Sequence, residues 1–394
     1  MVPPRRRSGL PLKRLVRVRV LVLVNGSPEK TNGVRVRALF RDMAKHHDIQ
    51  IRYRDDDRKL TSTIGFYLTA RRMTPHVIYV EGIGYAGIVA ALAAKVLHGS
   101  RMILSTGDVG YEFAKSSMGP LRAEFMRLME SAALRMSDAI VVWGPYHQKI
   151  LQERGFHNVF WIPGGVDTAL FRPMECADLR RRLGLEGRLT IGVVGSIHFN
   201  KRHQFCYGWE VVEAVRLLKG LPVAGVVVGT GNGVPFLQEL AARYGVSDQV
   251  IFTGWVDHDT LPQYVNLIDV CISTQSNDLV GEVRITAKVP EYLACGRYIV
   301  ASNVGGAREF VQQSGRLLEC DGVKDLRYVE ALAQEVKRIL ADRSVMALGR
   351  NGVSVAKKYF DYSVLRPKVQ RVLELVTSGP ASGLQPTSPT RTRS

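Results

Sequence analysis

Short runs of aliphatic and β-branched residues recur along the chain. Each leads into a turn that bears glycine and then into a stretch whose apolar positions repeat every three to four residues. In the first half the runs are residues 18–24 (VRVLVLV), 76–80 (HVIYV), 101–105 (RMILS), 139–143 (AIVVW) and 158–162 (NVFWI). In the second half they are 189–194 (LTIGVV), 223–229 (VAGVVVG), 249–254 (QVIFTG), 268–273 (IDVCIS) and 298–302 (YIVAS). Near-continuous apolar strands alternating with amphipathic segments predict parallel sheets covered by helices on both faces. After the first strand, Val36, Leu39, Phe40 and Met43 fall at i, i+3, i+4 and i+7, a core-facing helical stripe, with Asn32 placed as its N-cap before Gly33.

The two series are separated by residues 171–187 (FRPMECADLRRRLGLEG), a charged stretch that reads as a linker and short helix. The chain therefore divides into an N-terminal domain over 16–172 and a C-terminal domain over 173–355. Residues 356–377 form a further helix that packs back towards the N-terminal domain. That helix is marked by Val364, Val369, Val372 and Leu373, and Pro367 must start or kink it. The ends, 1–15 (basic) and 378–394 (rich in Pro, Ser and Thr), are expected to be disordered.

Composition narrows the class. A chain of 394 residues with 46% hydrophobic and 23% charged residues supports ordinary cores in about two domains. The best early apolar stretch, 15–24, is interrupted by Arg17 and Arg19, which excludes a spanning helix of roughly 18 apolar residues there. Five cysteines, none in a CxxC pair, indicate neither a disulfide framework nor a zinc site and fit a reducing cytoplasm.

The net charge of +18 points to an anionic partner. Nucleic acid is set aside, because neither interleaved aromatics nor a recognised module accompanies the charge. Seven basic residues precede position 20. They are either a solvated tail or a peripheral contact with acidic phospholipid headgroups, worth about 1 kcal/mol each near the surface.

In open α/β sheets ligands lie beyond the carboxyl ends of the strands. The first such loop, residues 25–33 (NGSPEKTNG), is neither GxGxxG nor a P-loop. Gly26 and Gly33 there either let an anion or sugar approach backbone N–H groups or simply make a strand-to-helix turn. In the second domain, residues 195–202 (GSIHFNKR) carry Lys201 and Arg202, which read either as a diphosphate clamp or as a surface pair. Residues 229–233 (GTGNG) and 253–256 (TGWV) end the next strands, and 288–302 run helix, glycine cap and strand before Gly305 and Gly306.

The order and spacing of these segments resemble the retaining nucleotide-sugar glycosyltransferases of the GT-B fold, family 4 (glycosyl transferases group 1). The resemblance covers nearly the whole chain. Residues 161–173 (WIPGGVDTALFRP) are similar to that family's interdomain segment, and 226–233, 250–256, 261–273 and 291–311 follow its donor-domain motifs in register. It implies an α/β fold of two Rossmann-like, doubly wound domains facing a cleft. It further implies a cytoplasmic hexosyltransferase that moves a sugar from a nucleoside diphosphate sugar to a glycan or lipid-linked glycan precursor, as in polysaccharide biosynthesis. No metal or other cofactor is implied, and no Asp-x-Asp motif stands in a cleft-like loop.

Carried over residue by residue, the resemblance places Lys201 on the donor diphosphate. Arg202 shares the task where Ser196 replaces the usual arginine. Glu291 holds the nucleotide ribose, and Gly254 and Val256 read the base. Gly305 and Gly306 present N–H groups to phosphate or sugar, and Gly26 and Gly33 shape the acceptor side. The family's first motif glutamate falls on Val283, one residue from Glu282, so that either a bulge returns Glu282 to the sugar or the contact comes from elsewhere. Asp108 follows a strand where relatives carry a histidine and either touches substrate or caps the next helix. Glu81 stands similarly after its strand, and His147 reads as structural or surface. In that family the anomeric configuration is retained and a leaving phosphate oxygen helps to deprotonate the acceptor. Ser196 and Val283 also leave room for a nucleotide-sugar-binding scaffold without turnover, or for a GT-B epimerase or phosphorylase.

Overall fold

The computed structural model describes residues 17–378 except 55–57, 118 and 202. The tails expected at 1–15 and beyond 378, and Arg202, lie outside the described residues. The N-terminal half runs β1 (Arg19–Val24), α1 (Thr31–Phe40), β2 (Asp48–Tyr53), α2 (Lys59–Met73), β3 (Val77–Glu81) and α3 (Tyr85–His98). It continues with β4 (Arg101–Thr106), α4 (Gly110–Ser117), α5 (Pro120–Met136), β5 (Ala139–Val142), α6 (Pro145–Glu153) and β6 (Val159–Trp161). The six strands are parallel in the order β2-β1-β3-β4-β5-β6.

The second half begins with α7 (Ala177–Arg182), β7 (Leu189–Val194), α8 (Trp209–Leu217), β8 (Val223–Val228), α9 (Val234–Arg243) and β9 (Val250–Phe252). Then come α10 (Leu261–Leu267), β10 (Val270–Ser273), α11 (Leu279–Val283), α12 (Lys288–Ala294), β11 (Tyr298–Ser302) and α13 (Gly305–Phe310). The chain ends with β12 (Gly315–Leu318), α14 (Leu326–Ala341), α15 (Asn351–Tyr359) and α16 (Tyr362–Ser378). Its sheet is parallel in the order β12-β11-β10-β7-β8-β9.

Alternation along β1 shows why both faces are covered. Val20, Val22 and Val24 pack with Val36, Leu39 and Phe40 of α1 and with Leu365, Val369, Val372 and Leu373 of α16. Leu21 and Leu23 point the other way, to Phe66 and Ala70 of α2, the alanines of α3, and Ala133 of α5. The last helix thus returns to the first sheet, and it runs unbroken through Pro367 rather than starting there. Asn32 is not a cap: α1 begins at Thr31, one residue earlier, and has no side-chain cap. Among the described residues no helix is long and apolar enough to cross a membrane.

Two strands are additional to the ten read from the pattern, β2 and β12, and both are sheet edges. Edge strands bury little, and DIQIRY and GRLL carry charges that hide them in a hydrophobicity pattern, whereas the other two edges, β6 (VFW) and β9 (VIF), are wholly apolar and stand out.

Candidate active site

Each sheet has one topological switch point, where neighbouring strands send their chains in opposite directions and leave a crevice at the carboxyl ends. In the second domain that point lies between β7 and β10. Its floor is backbone. The Gly229 N–H donates to the Gly254 carbonyl at 3.1 Å, and a Cβ on Gly229 would lie 2.0 Å from the Gly195 carbonyl oxygen. Only glycine permits that approach. The loops after β7, β8 and β9 are thereby held against one another, and Gly254 belongs to the floor. Val256 packs against the core beneath it.

One wall is α12, whose Lys288 and Glu291 stand at i and i+3 and so share a face. The Lys288 Nζ lies 3.9 Å from where a Cβ of Gly195 would sit and 5.5 Å from the Tyr207 ring centroid. Burial lowers the Lys288 pKa, opposed by Glu210 and Glu291. Glu210 is itself fully buried, and its carboxylate accepts hydrogen bonds from Thr274 Oγ1 and the Gly208 N–H, each at 2.9 Å. Burial pushes the Glu291 carboxyl up to about 7, with Lys288 pulling the other way. The crevice therefore holds a cation and a carboxyl that are both short of solvation, an arrangement that an anionic ligand and a hydroxyl donor would satisfy.

Lys201 is exposed on the turn that follows the β7 loop. Lys288 escaped the sequence reading. The signal available was KVPE opening a helix, which looks like an ordinary helix start; the space it occupies beside Gly195 is set by packing 93 residues away in sequence.

The neighbouring segment differs from expectation. Glu282 is already engaged by the protein: its Oε2 accepts from the Gly305 N–H at 3.1 Å and its Oε1 from Arg308 Nη2 at 3.1 Å. The Gly306 N–H donates to the Arg284 carbonyl at 3.2 Å. Neither glycine amide is therefore spare for phosphate. Gly305 adopts a positive φ of 54°, and a Cβ there would press on the Gly281, Glu282 and Arg284 carbonyls, which explains the glycine without a ligand. Val283, at the expected glutamate position, is fully buried.

Val283 lies at the contact between domains. A Cβ on Gly144, which precedes α6, would be 2.3 Å from the Val283 carbonyl oxygen. Arg284 Nε donates to Asp108 Oδ1 across the same gap, with its guanidinium 5.4 Å over the Phe113 ring. Both contacts join strand carboxyl ends of the first sheet to the segment after β10, so the two domains face each other over a cleft. Asp108 does not cap α4. The Gly110 and Tyr111 N–H groups donate to the Glu130 carboxylate at 2.8 and 2.9 Å. Gly144→Val should wedge this contact open. Small-angle scattering should then show a larger radius of gyration than that of the parent chain, with loss of turnover and near-normal donor binding.

The switch point of the first sheet, between β1 and β3, is filled by the protein. Asn25 donates through Nδ2 to the Gly82 carbonyl at 2.8 Å and accepts at Oδ1 from the Gly87 N–H at 3.1 Å. Gly26 borders open space, whereas Gly33 is packed against the Ser27 and Pro28 backbone. Glu81 is buried in an ion pair with Arg35 at 2.7 Å. Arg35 also donates to the Ile162 carbonyl at 2.8 Å and lies 4.7 Å over the Trp143 ring. Burial works against the Arg35 charge, yet Glu81 and Tyr79 hold its pKa above the ordinary value. His147 is a structural histidine, buried and lowered to about 4 by desolvation. Among the described residues no cluster of three or more His, Cys, Asp or Glu is placed to hold a metal ion.

Comparison with known proteins agrees with this architecture. The family described as "Glycosyl transferases group 1" matches residues 188–342. A GDP-mannose-dependent alpha-(1-6)-phosphatidylinositol monomannoside mannosyltransferase from Mycobacterium tuberculosis is 30% identical over 298 residues, 72% of this chain and 72% of that one. A D-inositol 3-phosphate glycosyltransferase from Acidothermus cellulolyticus is 31% identical over 189 residues, 44% of this chain and 39% of the other. Sucrose-phosphate synthase from Thermosynechococcus elongatus has the same fold, with a TM-score of 0.75 over 92% of this chain and 100% of its own at 19% identity. Anabaena HepE in complex with UDP and glucose matches at a TM-score of 0.72 over 91% of this chain and 100% of its own, at 16% identity.

Proposed function

Because the chain belongs to the glycosyl transferases group 1 and is a hexosyltransferase of the GT-B fold, we propose that it moves a hexose from a nucleoside diphosphate sugar in the β7–β10 crevice to a glycan or lipid-linked glycan acceptor. The acceptor enters from the N-terminal side of the cleft. The observation that carries this reading is the Lys288–Glu291 face of α12, a poorly solvated cation and carboxyl beside the glycine floor. Lys288 meets the diphosphate, Lys201 and its sequence neighbour Arg202 add positive charge, and Glu291 accepts the ribose hydroxyls. Gly254 and Val256 border the base. Cations already in place where the leaving diphosphate gathers charge stabilise the transition state without reorganisation, and on this basis the reaction runs without a metal; retention is what the family resemblance implies. Asp108 and Glu282 act as positioning residues through Arg284 and Arg308.

The mannosyltransferase relative makes GDP-mannose the first donor to test and a lipid-borne acceptor the first class of acceptor. The assay is transfer and donor binding in EDTA with GDP-, UDP- and ADP-sugars, with the product anomer read by NMR. Saturable binding of one donor and an α-configured product support the reading. An inverted product overturns retention, and absence of binding to any donor overturns the site.

Donor affinity should also depend on pH. The free Glu291 carboxyl, with its pKa near 7, holds a proton below that value. Ribose hydroxyls need its anion, so binding below pH 7 expels a proton and affinity rises about tenfold per pH unit up to about 7. Because the Lys288 pKa is lowered, affinity falls again on the alkaline side. A nucleoside diphosphate sugar has no phosphate ionisation in this window, so calorimetric Kd values report the protein. Glu291→Gln should bind more weakly at pH 8 and lose the acid-side slope; a slope that survives in this variant assigns it to another group.

A further inference from the structure

The helices α2, α3 and α5 cover one face of the N-terminal sheet, and their outward sides are unusually apolar. Nine of the seventeen exposed large apolar side chains among the described residues lie on these three helices. On α2, Leu60, Ile64 and Leu68 stand at i, i+4 and i+8, with Leu60 74% exposed; on α5, Leu121, Phe125 and Leu128 stand at i, i+4 and i+7, with Leu121 88% exposed. These are helical stripes facing away from the core, opposite Phe66 and Ala70 on α2 and Ala123 and Ala133 on α5. Between them α3 adds Val96, 69% exposed. Scattered single apolar residues need no explanation, but aligned stripes on neighbouring helices mark a contact surface.

Charge identifies the partner. The 15 residues of α2 and the 14 of α3 include no Asp or Glu, and they carry Lys59, Arg71, Arg72 and Lys95, of which Lys95 is paired with Asp138; in the sequence Asp55, Asp56 and Asp57 precede α2. On α5, Glu130 is buried under α4 and Glu124 is paired with Arg127, while Arg122 and Arg135 are exposed. Apolar stripes at helical spacing, with Arg71, Arg72, Arg122 and Arg135 beside them, match the boundary of an anionic bilayer, where the apolar side chains enter the acyl edge and the cations meet headgroups. Position adds to this. Phe125 of α5 packs edge-to-face on Tyr85, with ring centroids 6.2 Å apart, and α5 supplies the Glu130 carboxylate that holds the start of α4, the helix bordering the Asp108–Arg284 contact.

We infer that the α2–α3–α5 face seats the protein on an anionic lipid surface and turns the mouth of the cleft towards it. The inference rests on the transferase reading for its purpose, delivery of a lipid-borne acceptor, and stands apart from it as a binding event. It also differs from a contact made by the basic segment before residue 17.

The test is co-sedimentation of the full chain with phosphatidylcholine vesicles, with and without about one third phosphatidylglycerol. The parent chain should bind the anionic vesicles only. Ile64→Ser combined with Leu121→Ser and Phe125→Ser should weaken partitioning about tenfold or more. Arg71→Glu with Arg72→Glu should do the same with no apolar change, which guards against a folding defect in the first variant. A chain lacking residues 1–16 should still bind. Loss of binding on that deletion alone, with the face variants binding like the parent, overturns the inference. So does self-association in sedimentation velocity that the face variants abolish when no vesicle binding occurs, since the face would then pair with a second copy. Donor binding in solution is read on every variant. Unchanged donor affinity with lost vesicle binding supports the surface as a separate element, whereas a parent chain that binds vesicles but no donor leaves this inference standing and removes the transferase reading.

Discussion

Lys288→Met should lower kcat/KM for sugar transfer by roughly 10²–10³-fold, the scale associated with losing one group preorganised against transition-state charge. Methionine keeps the length and the apolar stem, so the packing of α12 is preserved and only the ammonium is lost. The free protein already strains to keep that charge, because burial lowers the Lys288 pKa and among the described residues no carboxylate pairs with it directly. A diphosphate beside Gly195 would be the missing counterion, and the loss should fall on both donor Kd and kcat. Steady-state kinetics with calorimetric binding check this. Lys201→Ala, at an exposed position, should cost clearly less, since solvent already screens that charge. If the Lys201 variant is the more damaging, Lys201 is the main diphosphate ligand and the crevice assignment shifts outward.

The second large effect is on stability. Arg35→Met should destabilise the N-terminal domain by about 3–5 kcal/mol, the usual result of leaving one member of a buried ion pair without its partner. Arg35 is 1% exposed and its pair, Glu81, is wholly buried. The same guanidinium holds the Ile162 and Pro163 carbonyls, so α1, β3 and the entry to the interdomain segment loosen together. Denaturant unfolding followed through Trp143, whose ring lies against Arg35, reports on this domain. Adding Glu81→Gln to Arg35→Met should recover part of the loss, because it removes the stranded charge. A double variant that is no better than the single one would mean that the carbonyl contacts, and not the ion pair, carry the stability.

Much of the architecture was legible because a two-sided parallel sheet demands near-continuous apolar strands, and ten of them stand out. The edge strands β2 and β12 did not, since each places charges on a half-solvated edge, whereas the edges β6 and β9 are wholly apolar and did. The resemblance to GT-B enzymes directed attention to the loops after β7, β8 and β9 and to α12, and the Gly195, Gly229 and Gly254 turns and the Lys288–Glu291 face do lie around one crevice. The residues whose roles moved are those at contacts between separate segments. Asp108 reads as a helix cap or a substrate contact until Arg284 is found against it, 176 residues away. Glu282 reads as a displaced motif glutamate until Arg308 and the Gly305 amide are found on its carboxylate. Lys288 stands in what looks like an ordinary helix start, and nothing in the local sequence marks Arg35 as buried.

The sequence by itself determined the fold class, the two domains and the loops at which chemistry is to be sought. These follow from local periodicity and from glycines at turns, properties written in consecutive residues. Only the tertiary structure decided which polar groups are already satisfied by the protein and which still lack a partner. Satisfaction is a matter of distances of about 3 Å between residues far apart in the chain, and burial makes an unpaired charge such as Lys288 costly until a counterion meets it.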